Sequence, residues 1–274
     1  MIRRVPAAVY FALFAMVAFN FAPFYWMVTS SLKTSTEVVS FPATLWPQTF
    51  TVAAYREIWL HAGFTGYFIN SLIIAGVTAV LSSAFGLFAA YGFSRFRFPF
   101  RTALMTLFLA TQMIPGVLLV VPYFKLLTQV GLFDTRIGLI LALTSITLPF
   151  SVWMLKGYID AVPPEIDQAA MIDGATRLQA LRLVVLPSVL PGLVATMTFA
   201  FLLAWGDVLW ALCLISDEAK LTMTLGIARL IGQFRVDWSQ AMAAVVIASV
   251  IPALLYLLMQ RFLVHGVAEG SVRE

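Results

Sequence analysis

Apolar residues gather along this chain in six runs, at about 7–31, 67–92, 101–126, 137–158, 188–215 and 241–263. Each reaches or exceeds the ~20 residues a helix needs to cross a hydrocarbon core. None alternates with period two, which argues against a membrane β-barrel. The pattern predicts an all-α integral membrane protein with six transmembrane helices, organised as one domain over 1–274. The first run follows Arg3 and Arg4 but is longer than the ~7–15 apolar residues of a signal peptide, so it reads as a retained span.

Composition agrees. Hydrophobic residues make up 61% of the 274 and charged residues 11%, with a mean hydropathy of +0.94. A soluble domain carries roughly 25% charged residues. The net charge of +4 comes from basic residues scattered between apolar runs, without a stripe or interleaved aromatics. That reads as membrane orientation rather than nucleic-acid binding. With the amino terminus inside, ten of the 17 basic residues are cytoplasmic and seven external. The dense "SRFRFPFR" at 94–101 strengthens the bias, so both termini are expected in the cytoplasm. Segments near 32–66 and 216–240 are then external. Pro42 and Pro47 in "FPATLWPQTF" forbid a continuous helix there, and Trp46, Trp59 and Tyr67 read as interfacial belt residues.

One stretch breaks the pattern. "PPEIDQAAMIDGATRLQALRLVVLP" (163–187) lies between spans four and five and is expected in the cytoplasm. Pro163 and Pro164 suit a helix start, and Glu165 and Asp167 suit its first turn. Asp173-Gly174 suits its end. Thr176 and Gln179 have capping-box spacing and start a second helix. Leu178, Leu181, Val184 and Val185 give that helix an apolar side leading to Leu186-Pro187. Residues 164–174 hold three acids and no base, a poor match to an anionic lipid surface. A helix–turn–helix that docks on a protein is the better reading, with small residues Ala169, Ala170 and Gly174 allowing close approach.

These residues carry a resemblance. "QAAMIDGATRLQALRLVVLP" resembles the EAA loop of ABC-importer permeases, in which Glu-Ala-Ala is followed by three residues, Gly, nine residues, Ile, any residue, and Leu-Pro. Ala169, Ala170, Gly174, Leu186 and Pro187 match at that spacing, and Val184 stands for the isoleucine. Gln168 replaces the leading glutamate, so a hydrogen bond replaces the family's ion pair to the ATPase, or Asp167 takes over the charge. "YFINSLIIAG", "AAYGFSRFRFP", "LLTQVGLFDTRIGLIL" and "AWGDVLWAL" extend the likeness to carbohydrate-type permeases of the maltose and glycerol-3-phosphate importer class, in particular the second permease of the pair. The resemblance implies a non-catalytic subunit in the bacterial inner membrane that moves a sugar or sugar-like solute by alternating access. It implies a homologous permease, two ATPase subunits and an extracytoplasmic solute-binding protein as partners. It implies ATPase coupling through Asp167, Gln168, Ala169, Ala170, Asp173, Gly174, Leu186 and Pro187. A permease for another solute, or a carrier working alone, are the alternatives.

The chemistry in the chain leaves ATP to others. There is no G-x-x-x-x-G-K-[ST] loop, so ATP and magnesium are expected on the partner ATPases, with no cofactor here. Cys213 is the sole cysteine, which excludes a disulfide framework and a cysteine metal cluster. His61 and His265 lie far apart in the sequence, one in the external segment and one beyond the last span. Asp207 lies roughly 28 Å from Ser188 at 1.5 Å per residue, near the outer interface, and reads as structural or gate-lining rather than proton-coupling. Thr111, Gln112, Thr144, Ser145, Thr147 and Ser151 are the polar mid-span residues. They read as packing glue or as a path for hydroxyl-rich solutes, with Gln112, Thr144, Thr147 and Asp207 as the path candidates.

Overall fold

The structure is a computed structural model describing residues 6–61, 63–231 and 236–270, with side chains described outside residues 61 and 261–270. Helix α1 spans Ala7–Ser31, α2 Ser35–Val38, α3 Ala53–His61, α4 Phe64–Arg95, α5 Arg101–Ala110, α6 Gly116–Gln129 and α7 Arg136–Asp160. Then come α8 (Pro164–Ile172), α9 (Arg177–Ala180), α10 (Leu186–Ser188), α11 (Leu190–Trp205), α12 (Leu209–Leu214), α13 (Met223–Leu230) and α14 (Trp238–Gly270). Among the described residues four helices are long and apolar enough to cross a membrane, and two bent helix pairs raise the number to as many as six. The chain groups into two compact units, Met1–Thr65 with Gly226–Ile251 and Gly66–Leu225 with Pro252–Glu274.

In the first unit, α1 is apolar all round and exposed along its length until Thr29, Ser30 and Ser31. A helix of that kind belongs in a membrane. Its polar end is pinned: the Ser31 hydroxyl lies 2.7 Å from that of Tyr55, and Ser239 donates to the Lys33 carbonyl at 2.7 Å. The proline-interrupted stretch folds around one carboxylate. Glu37 accepts from the Thr44 hydroxyl at 3.0 Å and from the backbone N–H groups of Gln48 (2.8 Å) and Thr49 (3.3 Å). Trp46 and Trp59 are exposed, as belt residues should be.

The second unit is built on α4, α7 and α11. Gly86 of α4 sits so close to α7 that a Cβ there would lie 3.1 Å from Ser151 Cβ. Beside it the hydroxyls of Ser82 and Thr147 are hydrogen-bonded across the two helices. α11 meets α7 at Gly192, which lies under the ring of Tyr158. Leu87, Ala90 and Tyr91 of α4, Leu155, Ile159 and Val162, and Leu181, Val185 and Val189 form one buried cluster. This cluster seats the 163–187 stretch, because its last three members belong to that stretch or adjoin it.

Three expectations change. The third run is no straight span: α5 and α6 meet at a 100° bend. Pro115 forces Ile114 into extended backbone (φ −78°, ψ 120°), the conformation a residue before proline prefers. The fifth run stops at Trp205, caps on Gly206 and restarts as α12. Tyr67 is buried rather than interfacial, and its hydroxyl donates to Glu218 at 3.2 Å.

Candidate functional site: a two-faced loop and a cleft at a broken span

Residues 163–187 form the expected helix–turn–helix, and local rules explain its corners. α8 begins with Pro163 as cap and Pro164 in its first turn. It ends in a Schellman motif, with Gly174 N–H donating to Met171 O (3.1 Å) and Ala175 N–H to Ala170 O (3.0 Å). Gly174 has φ +93°, a conformation open to glycine at no cost. The capping box then forms in both directions, Gln179 N–H to Thr176 Oγ1 at 3.3 Å and Thr176 N–H to Gln179 Oε1 at 2.7 Å. Past α9 the chain widens to π-helix over Leu181–Val185, ahead of Pro187. The axis turns by 82° between Ser188 and Leu190 as the chain enters α11.

The loop presents two faces. Outward lie Gln168, Ala169, Asp173, Gly174 and Pro187, with Ala170 and Leu186 half-buried. Ile172 (86% exposed) and Leu178 (63% exposed) stand beside them as apolar knobs. Leu178 is therefore not on the inward side with Leu181 and Val185. Asp167 is the other departure. It is buried, and its Oδ2 accepts from Arg95 Nε at 2.7 Å, so its charge is spent inside the chain and does not stand in for the missing glutamate. Sequence pattern alone signals neither Arg95, which reads as an orienting charge in "SRFRFPFR", nor Ile172, which closes the short apolar stretch before Asp173.

A second candidate is a cleft of about 530 Å³ where α5 breaks from α6. Phe108, Thr111, Gln112, Ile114, Tyr123, Ser145, Ile146, Pro149 and Trp210 line it. Pro149 lacks the N–H that would bond the Ser145 carbonyl of α7. Gln112 Nε2 donates to one of the neighbouring carbonyls, Ile146 O, at 2.9 Å. The Tyr123 and Ser145 hydroxyls lie 2.7 Å apart, and the Tyr123 ring stands edge-on to Trp210 at 5.0 Å. The mouth is thus aromatic with a few convergent polar groups, the usual make-up of a small-molecule site.

Of the four path candidates, Gln112 lines this cleft. Thr147 is fully buried and its hydroxyl is engaged with Ser82 and the Leu143 carbonyl. Thr144 is buried beside it. Asp207 accepts from the backbone N–H groups of Ala211 (2.9 Å) and Trp210 (3.4 Å), so it caps α12. Among the described residues no cluster of three or more His, Cys, Asp or Glu could hold a metal ion.

Known proteins resemble this chain over most of its length. An inner membrane ABC transporter permease protein of Escherichia coli, YcjP, is 36% identical over 253 residues, covering 92% of this chain and 90% of that one. The trehalose transport system permease protein SugB of Mycobacterium tuberculosis is 34% identical, covering 94% of each chain. A crystal structure of a bacterial ABC transporter for import of the acidic polysaccharide alginate superposes with a TM-score of 0.82 at 20% identity, over 93% of this chain and 94% of that one. Residues 82–269, which include both candidate sites, match the family described as the inner membrane component of binding-protein-dependent transport systems, and the chain belongs to that family.

Proposed function

We propose that the chain is a permease subunit of an ATP-driven importer and translocates a sugar or sugar-like solute by alternating access. It would work with a homologous permease, two ATPase subunits that bind ATP and magnesium, and an extracytoplasmic solute-binding protein, with both of its termini in the cytoplasm. The observation that carries this reading is the loop 163–187, a two-helix segment between α7 and α11. Among the described residues its outer face of Gln168, Ala169, Ile172 and Asp173 is exposed, and Gln168 offers an amide where an ion-pairing glutamate would sit. The sugar class is supported by the trehalose-transporting relative that matches nearly end to end.

In this reading ATP-driven closure of the ATPases displaces the loop, and the helices to which it is tied rock as rigid bodies. The cleft at Gln112, Tyr123, Ser145 and Trp210 would contribute to the solute's route. Aromatic faces suit sugar C–H surfaces, and the amide and hydroxyls suit sugar hydroxyls. Reconstitution of the complete complex in vesicles tests the proposal, with labelled trehalose and maltose offered with binding protein outside and ATP on the ATPase side. Uptake of either sugar that needs both ATP and binding protein supports the reading. Uptake driven by an ion gradient without ATP would instead indicate a carrier working alone, and ATP-dependent uptake restricted to a non-sugar solute would remove the sugar assignment.

A further inference from the structure

Arg95 is the last residue of α4, and its guanidinium joins three parts of the chain. Nε donates to Asp167 Oδ2 of α8 at 2.7 Å, and Nη2 donates to the Val162 carbonyl, between α7 and α8, at 2.8 Å. Nη1 donates to Ser94 Oγ at 3.3 Å, and Ser94 in turn donates to Asp160 Oδ1 at the end of α7 at 2.6 Å. The Tyr91 phenol lies against the same Asp167 carboxylate. The Arg95 and Asp167 side chains are 8% and 5% exposed. A charge pair so enclosed is held by geometry rather than screened by water, and removing one partner strands the other. Asp167 thus points away from the outward face that carries Gln168, Ala169 and Asp173. The apolar cluster beneath adds rigidity but carries no direction, whereas the fork-shaped guanidinium fixes the loop's angle to two long helices at once.

We propose that Arg95 and Asp167 are positioning residues that weld α8 to the inner ends of α4 and α7, so that a push on the loop moves those helices with it rather than flexing the loop. This inference rests on the importer reading but assigns the pair to transmission within the permease instead of contact with the ATPase.

The test uses the assembled complex with Cys213→Ser and nitroxide labels at Glu165→Cys and Phe88→Cys, both exposed positions on α8 and α4. Inter-label distances are compared between the nucleotide-free and vanadate-trapped ATP states. With the pair intact the distance should hold within about 2 Å, the scale of ordinary helix shifts at interfaces. With Asp167→Asn it should move or broaden by about 5 Å or more, a helical turn, while ATPase copurification and ATP hydrolysis persist. Asp167→Glu, which keeps the charge, should restore most of the narrow distribution. If Asp167→Asn does not accumulate, Arg95→Cys/Asp167→Cys decides: bridging the two thiols with a short bifunctional reagent should raise the ATP-driven movement of α4 and α7, read by labels placed there. An unchanged distance in Asp167→Asn, no effect of bridging, or loss of ATPase binding at matched permease levels would overturn the inference. Absence of ATPase from the unsubstituted complex would instead defeat the importer reading, and so the two failures are distinguishable.

Discussion

Gly192 offers the sharpest test of how the helices flanking the loop are packed. A Cβ at this position would fall 2.2 Å from Tyr158 Cγ, 2.3 Å from Cδ2 and 2.6 Å from Cδ1. Carbon atoms in contact prefer about 3.5 Å or more, so Gly192→Ala demands roughly 1.3 Å of separation. Cγ is the root of the ring, so the clash is not relieved by swinging its far end. Either Tyr158 changes rotamer or α11 moves off α7. Overpacking of this kind costs about 1–3 kcal/mol, occasionally more, and the depth of the overlap places Gly192→Ala near 3 kcal/mol. Unfolding of the purified permease in mixed micelles by titrated dodecyl sulfate measures that loss. Tyr158→Ala removes the obstacle, so the double variant should recover about 2 kcal/mol relative to the sum of the single changes. Additive effects, or a Gly192→Ala protein as stable as the original, would refute the packing argument. Because α7 and α11 flank residues 163–187, Gly192→Ala should also lower ATP-driven transport at matched expression.

At Gly174 nothing lies within 4 Å of a would-be Cβ, so only the positive φ resists substitution. Gly174→Asn should keep ATPase recovery, Gly174→Val should lose most of it through a left-handed penalty of about 1–2 kcal/mol, and Gly174→Asp should fall between them because it adds charge beside Asp173. Gln112→Cys in a Cys213→Ser background should react with small aqueous thiol reagents in a state-dependent way, whereas Thr147→Cys should stay protected, since its site is closed by Ser82. Outside the spans, the Asp134 carboxylate is held below the usual range by the N–H groups of Asp217 and Ser216 and by Lys220. A lowered value means the link is fully present above about pH 3.9 and is lost as pH falls through the lower folded value. Hydrogen-exchange protection of residues 216 and 217, corrected for intrinsic rates, should drop in that window, and Asp134→Ala, which removes the accepting oxygen, should show the loss at neutral pH.

What could be read from the sequence was local. Pro163, Pro164, Gly174 and the Thr176–Gln179 box encode their own conformations within a few residues, so both ends of the first short helix and the start of the second were legible, whereas the change to π-helix after Ala180 was not. Directions in space were not. Hydropathy treats a run interrupted by Pro115 as one span, because both sides of a 100° bend are equally apolar. Lipid and protein core are alike in polarity, so no periodicity separates Thr147, packed against α4, from Gln112, which faces the cleft. The inward turn of Asp167 depends on Arg95, 72 residues away, and no nearest-neighbour rule spans that distance.

If the permease works as proposed, residues 163–187 meet the ATPase and transmit its cycle. A photoreactive or thiol cross-linker at Ala169→Cys, in a Cys213→Ser permease assembled with its partners, addresses it directly. Ala169→Cys should capture the ATPase subunit specifically, with a yield that changes between nucleotide-free and vanadate-trapped states, and Thr147→Cys should capture none. Equal labelling by lipid-soluble quenchers, without ATPase capture in any state, would contradict it.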